Sequence, residues 1–558
     1  MNFETPYLTE QIIAYIGNKR KLLSLIYKAM QECEITITPG LKFFDVFAGS
    51  GVVSRFAKSL NFEVYTNDWE YYSNIINTAY LTTNESDIKE LFESENDFIS
   101  LLSKINSLPA PAVKEQFITK YYAPKETDIN QVNYKTERLF YTRQNALNID
   151  KIRNYIEKNY PLSSKNKNSV KIRNLLLAEL IYEAATHNNT SGVFKAFHKE
   201  FGGHGKDALK RILSPIELHA PILIDSDYPC HIYQEDANKL VREIKDIDVA
   251  YLDPPYNQHQ YGSNYFMLNT IAKWDGNAPD LTLDSKGVLK EKAGIRHDWV
   301  ETRSHYCYKD EAEKSFEDLI QNLNARFILI SYSTDGIIPF ETMQDICLKK
   351  GKVTIITDEY TTYRGGKQSN KRQNTDIEFI LCIDTTKKSN KKSIQEINSI
   401  FAKKRVALLF KQKYAKSKLK ERNFINPNGS IKIKLTDKTL NINSFDYFIL
   451  TEPGETDNLS IDDLNMLYNL LSPCVCETKE EELSELIKKA KLKNTKSNYF
   501  AKMIPSTLKK LASKKNRTAF EKWIFEVRKL KDSNPNVYAL IKNKIDDVEH
   551  IAKLRWST

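Results

Sequence analysis

The stretch that most constrains the fold is VAYLDPPY, at residues 249–256, where an apolar run stops at a carboxylate and two prolines. Neither proline has a backbone N–H to donate, and each fixes φ at about −65°, so a strand must end there in a stiff loop. A short, continuous apolar run of this kind predicts a buried strand of a parallel sheet. In open α/β sheets, ligands bind at the carboxyl ends of the strands, which is where this loop lies.

The side chains of this loop suit a flat ring that carries an exocyclic amine. Asp253 and the carbonyl oxygen of Pro254 can accept the two hydrogens of the amine, and Tyr256 can stack on the ring. The lone pair of the adenine amine is delocalised into the ring, so two acceptors would have to draw it out of conjugation and direct it at an electrophile. The alternative is that Pro254 and Pro255 do no more than end a strand.

A glycine loop after an earlier strand predicts a nucleotide-type site. LKFFDVFAGSGVV, at residues 41–53, is an apolar strand that runs into a turn of small residues and then a helix. Gly49 and Gly51 allow φ > 0 and a close backbone approach, and Asp45 at the strand end could hold an amino group or a cation. The loop has neither the GxGxxG pattern of dinucleotide sites nor the GK[ST] of phosphate loops.

Two further segments complete this pattern. The strand predicted at 62–66 is followed by Asp68, which lies where α/β nucleotide sites place the acid that binds ribose hydroxyls. Its alternative role is the N-cap of the helix predicted for residues 70–80. Near the N-terminus, Tyr15 and Lys19 flank a glycine turn that leads into an amphipathic helix.

Composition excludes several classes of protein. With 41% hydrophobic and 28% charged residues, the chain of 558 residues fits a soluble globular protein of several domains. It has no apolar run long enough to span a membrane, and its start, MNFETPYLTE, lacks the pattern of a secretory signal. Seven cysteines are scattered without a CxxC pair, and nine histidines show no metal-ligand spacing. We therefore expect a reduced, cytoplasmic protein without a metal site or a membrane partner.

The net charge of +10 is concentrated in one segment. Residues 387–422 contain 13 Lys and Arg against 2 Asp and Glu, a local charge of +11, which leaves −1 for the rest of the chain. Such a segment predicts a contact with nucleic acid, the alternative being a solvated basic linker.

The order of strands and helices predicts an α/β fold with a Rossmann-like, seven-stranded sheet. The sheet would be formed by residues 1–80 and 230–384 and interrupted by a helical insertion at 81–229. Its last two strands would form an antiparallel hairpin, whose basic loop at 363–367 could touch a phosphate backbone. The region 385–558 would combine the basic segment with an α-rich C-terminal domain, with helices near 480–494, 506–530 and 536–554.

In order and content these motifs resemble the Dam-like, α-group N6-adenine DNA methyltransferases of type II restriction-modification systems. YIGNKRK comes first, followed by FDVFAGSG, NDWE, a helical insertion, QEDA and DPPYNQHQYGSNY, over roughly residues 10–384. The resemblance implies the methyltransferase sheet, S-adenosylmethionine as methyl donor, and transfer to an adenine flipped out of double-stranded DNA. It also implies target recognition by the insertion, a cognate restriction endonuclease in the same system, and an enzyme that acts as a monomer or dimer.

The resemblance also implies roles for single residues. A sulfonium is a cation, and carboxylates and aromatic faces suit it. The cofactor-binding residues would be Tyr15, Lys19, Asp45, Phe47, Gly49, Gly51, Asp68 and, near the cofactor adenine, Asp236. The catalytic loop would be Asp253, Pro254, Pro255 and Tyr256.

Other functions fit this loop less well. Cytosine C5 methylation needs a cysteine nucleophile, and neither Pro229-Cys230 nor Pro473-Cys474 ends a strand in the position of Asp253. Enzymes that methylate cytosine N4 usually begin the loop with Ser, and those that methylate RNA or protein glutamine usually begin it with Asn. A non-catalytic DNA-binding protein of the same fold is a rival from another class, against which the intact loop argues. The recognised DNA sequence depends on a few side chains of the insertion and cannot be read from the chain.

Overall fold

The structure, a computed structural model, describes the chain except for Met1, Glu93, His204, Gly205, Asp207, Asp335, 358–377, Asp437, Lys493 and 557–558. The described residues form two compact units. The first holds the residues up to Thr357 together with Glu378–Asn390, and the second begins at Lys391. The basic loop expected at 363–367 lies outside the described residues.

A seven-stranded sheet organises the first unit, with the strand order β3-β2-β1-β4-β5-β7-β6. Neighbouring strands are parallel, except that β7 runs antiparallel to both β5 and β6. The predicted α/β sheet and its final hairpin are therefore confirmed. The strands are β1 (Lys42–Asp45), β2 (Glu63–Asn67), β3 (Cys230–Tyr233), β4 (Ile247–Leu252), β5 (Ala325–Ser333), β6 (Lys352–Thr357) and β7 (Glu378–Asp384).

The two central strands bring the two predicted loops together. β1 and β4 are adjacent and in register, with Phe44 opposite Ala250 and Asp45 opposite Tyr251. Phe43 and Phe44 of β1 and residues 249–252 of β4 are apolar and buried without alternation, as expected for strands of a parallel sheet that helices cover on both faces. Since parallel strands end at the same edge, the glycine loop after β1 and the DPPY loop after β4 leave the sheet side by side.

Helices surround this sheet. The predicted insertion is mainly helical and shares one apolar core with the sheet, because α9 packs on α4 and α8. The helices are α1 (Pro6–Thr9), α2 (Leu23–Glu32), α3 (Val52–Ser59), α4 (Tyr71–Thr82), α5 (Asp87–Phe92), α6 (Glu95–Asn106), α7 (Ile118–Tyr122), α8 (Arg143–Asn159), α9 (Lys167–Thr186), α10 (Leu209–Leu213), α11 (Ala237–Leu240), α12 (Tyr261–Asn264), α13 (Phe266–Lys273), α14 (Ala312–Asn322) and α15 (Phe340–Lys350). Among the described residues, no helix is both long and apolar enough to cross a membrane.

The second unit is helical but also contains two small hairpins that the sequence pattern did not predict. They are β8 (Ile431–Lys434) with β9 (Thr439–Ile442), and β10 (Ser444–Phe445) with β11 (Ile449–Leu450). The single helix expected at 506–530 is two helices, because α20 ends at Lys509 and α21 begins at Arg517. The helices are α16 (Lys391–Phe410), α17 (Lys416–Glu421), α18 (Ile461–Leu471), α19 (Lys479–Lys491), α20 (Ser497–Lys509), α21 (Arg517–Arg528), α22 (Leu530–Ser533) and α23 (Pro535–Trp556).

Candidate active site

An open cleft with about 850 Å³ of free space lies at the carboxyl ends of β1, β2 and β4. Most of the predicted site residues line it, although they come from four separate stretches of the chain. Those residues are Tyr15, Lys19, Asp45, Phe47, Gly49, Asp68, Asp253 and Pro255. The others lie beside the cleft: Gly51 precedes α3, Pro254 and Tyr256 flank Pro255, and Asp236 stands between two lining residues.

Asp253 and Lys19 form an ion pair at the centre of the cleft. The Nζ of Lys19 lies 3.1 Å from Oδ1 of Asp253, and both side chains are largely buried. Burial raises the pKa of Asp253 to about 6, although the Lys19 ammonium opposes the rise and the Glu378 carboxylate adds to it. Burial alone would lower the pKa of Lys19, but the Asp253 carboxylate outweighs it and holds that pKa above its ordinary value. At neutral pH the pair is therefore a carboxylate held by an ammonium.

Tyr256 is held next to this pair. The Nζ of Lys19 lies 5.3 Å from the centre of the Tyr256 ring, a cation–π distance. The backbone of Tyr256 is fixed by its carbonyl, which accepts a 3.1 Å hydrogen bond from the N–H of Ile337. Its ring meets Tyr332 edge-on, with 5.9 Å between the ring centres. These contacts place an aromatic ring and a carboxylate together at the end of β4.

Three tyrosine rings form a stack against the glycine loop. Tyr15 packs against both Tyr261 and Tyr265, with ring centres 5.1 Å and 4.7 Å away and nearly parallel planes, and the centres of those two rings are 6.1 Å apart. The hydroxyl of Tyr265 accepts a 2.8 Å hydrogen bond from the N–H of Ile16, which fixes the turn. At Gly49, whose φ is +52°, a Cβ would lie 2.8 Å from the Tyr15 ring. Only glycine fits this close approach of backbone to ring.

Asp45 is a buried acid below the loop. The Ser54 hydroxyl donates a 2.7 Å hydrogen bond to its Oδ2, whereas its Oδ1 has no hydrogen-bond partner among the described residues. Burial raises the pKa of Asp45 to about 7, against the Ser54 hydrogen bond, and the carboxylates of Asp253 and Asp68 add to the rise. A cation in the cleft would stabilise the ionised form of this acid.

Asp68 ties the ends of two strands together. Its two oxygens accept 2.8 Å hydrogen bonds from the backbone N–H groups of Gly49 and Glu70. It does not cap the following helix, because the N-cap position of α4 is Glu70. Burial raises the pKa of Asp68 to about 6, and the two backbone hydrogen bonds oppose the rise. The acid therefore shapes the glycine loop as well as lining the cleft.

Asp236 is placed differently from the other predicted acids. Its carboxylate caps α11 by accepting a 3.0 Å hydrogen bond from the N–H of Lys239. Its two neighbours, Glu235 and Ala237, line the cleft. Asn67 holds this turn, since its side chain exchanges hydrogen bonds of 3.0 and 3.1 Å with the backbone of Glu235.

A second group of residues, which no sequence motif singled out, holds further parts of the cleft wall in place. Glu70 is buried and accepts hydrogen bonds from Asn269, at 2.6 Å, and from Thr302, at 3.0 Å. Gln260 clamps Ser304 by exchanging hydrogen bonds of 2.9 and 2.8 Å with its backbone. The partners are separated by 44 to 232 residues, so no local pattern relates them.

Gly51 offers a test of how tightly the loop is built. Its φ is +76°, and a Cβ there would lie 2.2 Å from Oδ1 of Asn77. Gly51→Ala is expected to lower the free energy of unfolding by roughly 2–4 kcal/mol, through backbone strain and the collision together. Gly276→Ala is the matched control, because its φ is +71° but nothing lies within 4 Å. Urea denaturation measures both variants, and equal losses would show that the collision costs nothing.

The cleft fits a ligand that carries a positive charge and also has apolar surface. Asp45, Asp68 and Asp253 face it. Each has a raised pKa, which a nearby cation would lower. The stacked Tyr15 and the aromatic ring of Phe47 add apolar surface. Among the described residues, no cluster of three or more His, Cys, Asp or Glu side chains could hold a metal ion.

Comparison with known proteins shows which family this chain resembles. Residues 15–283 match the family model of the D12 class N6 adenine-specific DNA methyltransferases. The type II methyltransferase M.NlaIII of Neisseria lactamica is 31% identical over 382 residues, which cover 67% of this chain and 99% of that protein. The type II methyltransferase M.CviAII of Paramecium bursaria Chlorella virus 1 is 30% identical over 63% of this chain and 93% of its own length. The modification methylase LlaI of Lactococcus lactis is 30% identical over 66% of this chain, which spans about half, 54%, of that protein.

Proposed function

This chain belongs to the D12 class N6 adenine-specific DNA methyltransferases, and from this premise we propose that it is the site-specific modification enzyme of a restriction-modification system. It would act on double-stranded DNA in the cytoplasm, with a cognate endonuclease that cuts the same sequence when unmodified. The observation that carries the proposal is the Asp253–Lys19 pair beside Tyr256, at the end of β4 and within the cleft. This is where a flipped adenine meets two acceptors and an aromatic face.

We propose that the carboxylate of Asp253 and the carbonyl oxygen of Pro254 each accept a hydrogen bond from one of the two N–H groups of the adenine amine. Because Lys19 neutralises Asp253 without taking both of its oxygens, the carboxylate stays ionised and one oxygen is left to accept. Tyr256 stacks on the flipped base, and Pro255 keeps the loop rigid. No residue has to form a covalent bond to the substrate, because the amine itself is the nucleophile.

The methyl donor that fits is S-adenosylmethionine, which supplies a methyl group bound to a sulfonium. We propose that Asp68 binds the ribose hydroxyls and that Asp236 and its neighbours lie by the cofactor adenine. Gly49, Gly51 and Phe47 would shape the methionine side of the pocket, and Tyr15 would face the sulfonium. The unpaired Oδ1 of Asp45 supports this assignment, because a buried acceptor without a partner calls for a cation or a donor.

A host strain that lacks its own adenine modification tests the biological role. Long-read sequencing of its genomic DNA after expression of this chain is expected to find N6-methyladenine at nearly every copy of one short sequence. Methylation scattered over unrelated sequences would contradict a site-specific modification enzyme. DNA from cells that express Asp253→Ala is the control and should be unmodified.

The pH dependence of the reaction provides a prediction about the ion pair. Asp253 must be ionised to accept from the amine, and its pKa is raised by burial to about 6. Activity is therefore expected to be full above that pH and to fall about tenfold per unit below it, rather than only near pH 4. Rate measurements at saturating cofactor and DNA, from pH 5 to 8, give this profile.

Lys19→Met tests whether the pKa of Asp253 sets the acid limb of this profile. Because the Lys19 ammonium holds the pKa of Asp253 down, its removal should move the acid limb of the profile to higher pH. Lys21→Met, in the same turn, should leave the limb in place. An acid limb that stays unchanged in Lys19→Met would contradict the assignment of this pKa to Asp253.

A further inference from the structure

The positive charge of the chain is located away from the cleft residues in sequence. Residues 391–558 carry 34 Lys and Arg against 20 Asp and Glu, a charge of +14, whereas residues 1–390 carry 48 against 52, a charge of −4. DNA is a polyanion, and neutralising its phosphates supplies much of the affinity of a DNA-binding protein. The part of the chain that holds the cleft therefore lacks an excess of the charge that its substrate requires.

Two basic segments contribute to this charge, and both contain ion pairs in the structure. In the segment 387–422, Lys387 pairs with Asp384 at 3.0 Å and Lys418 pairs with Glu481 at 2.9 Å. A second segment, residues 486–520, contains 11 Lys and Arg and no Asp or Glu. Among its described residues, ion pairs join Lys488 to Glu485, Lys489 to Asp446 and Arg517 to Glu521, and all three acids lie outside the segment. Other lysines of the segment, namely Lys491, Lys496, Lys502, Lys509 and Lys515, are exposed.

Helix α20 aligns part of this segment on one face. Tyr499, Lys502, Ser506 and Lys509 follow one another at three- and four-residue intervals, so they lie on the same side of the helix. All four are exposed, and Tyr499 is 49% accessible. The opposite side, with Phe500, Ala501, Ile504 and Leu508, is buried in the apolar core of the unit. The core thus fixes which side of α20 faces solvent.

Lys496 extends this face by one turn. Its Nζ lies 5.1 Å from the ring centre of Phe445, and the same ring meets Tyr499 edge-on at 5.0 Å. We call Lys496, Tyr499, Lys502 and Lys509 the lysine stripe. At about 1.5 Å per residue the stripe is roughly 20 Å long, which matches about six nucleotides of one DNA strand at about 3.4 Å each.

We propose that the lysine stripe binds the phosphate backbone of the duplex that the enzyme methylates. The proposal rests on the proposed function only for the identity of the partner, since the charge and its alignment are properties of the unit itself. Exposed cations along one helix face, with an aromatic ring among them and no acid nearby in sequence, are the footprint of a nucleic-acid surface. Such contacts carry no sequence information, so the stripe would add affinity and not specificity.

The test compares two triple variants of the full chain. One replaces the stripe by Lys496→Gln, Lys502→Gln and Lys509→Gln, and the control combines Lys531→Gln, Lys542→Gln and Lys544→Gln. The control lysines lie on α22 and α23 of the same unit and are also exposed, but acids are close to them in sequence: Asp532 follows Lys531, and Asp546 and Asp547 follow Lys544. Fluorescence anisotropy with a labelled 30-base-pair duplex gives Kd at several salt concentrations, and thermal melting verifies that both variants are folded.

The stripe variant is expected to raise Kd at least tenfold at about 0.1 M salt and to reduce the slope of log K against log salt by about 2–3. The control should change Kd less than twofold. In methyl transfer, the stripe variant should raise the KM for DNA with kcat unchanged. An unchanged Kd and slope would overturn the proposal, whether or not binding to an RNA of the same length falls. If the wild type binds DNA but transfers no methyl group, the proposed function is wrong. The comparison of Kd values then still shows whether the lysine stripe binds DNA.

Discussion

Replacing Asp253 with alanine is expected to lower the rate of methyl transfer to DNA by a factor of about 10²–10⁴. In the proposed mechanism the carboxylate is the acceptor that turns the adenine amine into a nucleophile, and no other acid of the cleft is part of the DPPY loop. DNA binding should persist, because we propose that the phosphates are bound by the lysine stripe and not by Asp253. Single-turnover rates at saturating cofactor and DNA measure the chemical step without the contribution of product release.

Two variants control this result. Asp253→Ala leaves the buried Lys19 without its partner, so Asp253→Asn, which keeps the shape and one acceptor, separates loss of charge from loss of packing. Asp248→Ala removes an acid from the exposed side of the same strand, where it accepts a 2.9 Å hydrogen bond from the Lys42 N–H. That variant should retain the wild-type rate within about twofold. Full activity in Asp253→Ala would contradict the assignment of the catalytic loop.

The second large effect is expected at Asp68. Asp68→Ala should raise the Kd for S-adenosylmethionine by about 100-fold, because it removes the proposed ribose acceptor and leaves two backbone N–H groups without this partner. These N–H groups belong to Gly49 and Glu70, which both line the cleft. Asp68→Asn, which retains one acceptor oxygen, should lie between the wild type and Asp68→Ala.

Isothermal titration of the purified chain with S-adenosylmethionine gives these constants directly. Asp248→Ala again serves as the control and should bind the cofactor as the wild type does. Equal cofactor affinity in Asp68→Ala and the wild type would contradict the placement of the ribose at this acid. The methylation rate of Asp68→Ala at saturating cofactor should recover to within about tenfold of the wild type, since Asp68 does not touch the adenine amine in this account.

The sheet and the cleft could be predicted from the sequence because both depend on local chemistry. Strand ends are marked by apolar runs that stop at Asp45, Asp68 and Pro254, and parallel strands place such ends at one edge. The last two strands pair antiparallel as expected. These features are properties of single segments, so a pattern of a few residues suffices to reveal them.

What was missed depends on contacts between distant segments. Glu70 and Thr302 are 232 residues apart, and nothing in either segment predicts their hydrogen bond. The hairpins of the second unit were missed because their strands are only 2 to 4 residues long. The lysine stripe was missed because the acid-free segment 486–520 becomes a surface only when α20 buries its apolar side.

The most direct measurement is methyl transfer from labelled S-adenosylmethionine to unmodified genomic DNA by the purified chain, followed by nucleoside analysis. It identifies the donor, the substrate and the modified atom in one experiment. We expect label in N6-methyladenine alone, and at least about a hundredfold slower labelling with Asp253→Ala. Label in 4-methylcytosine, or label that Asp253→Ala does not reduce, would contradict this expectation.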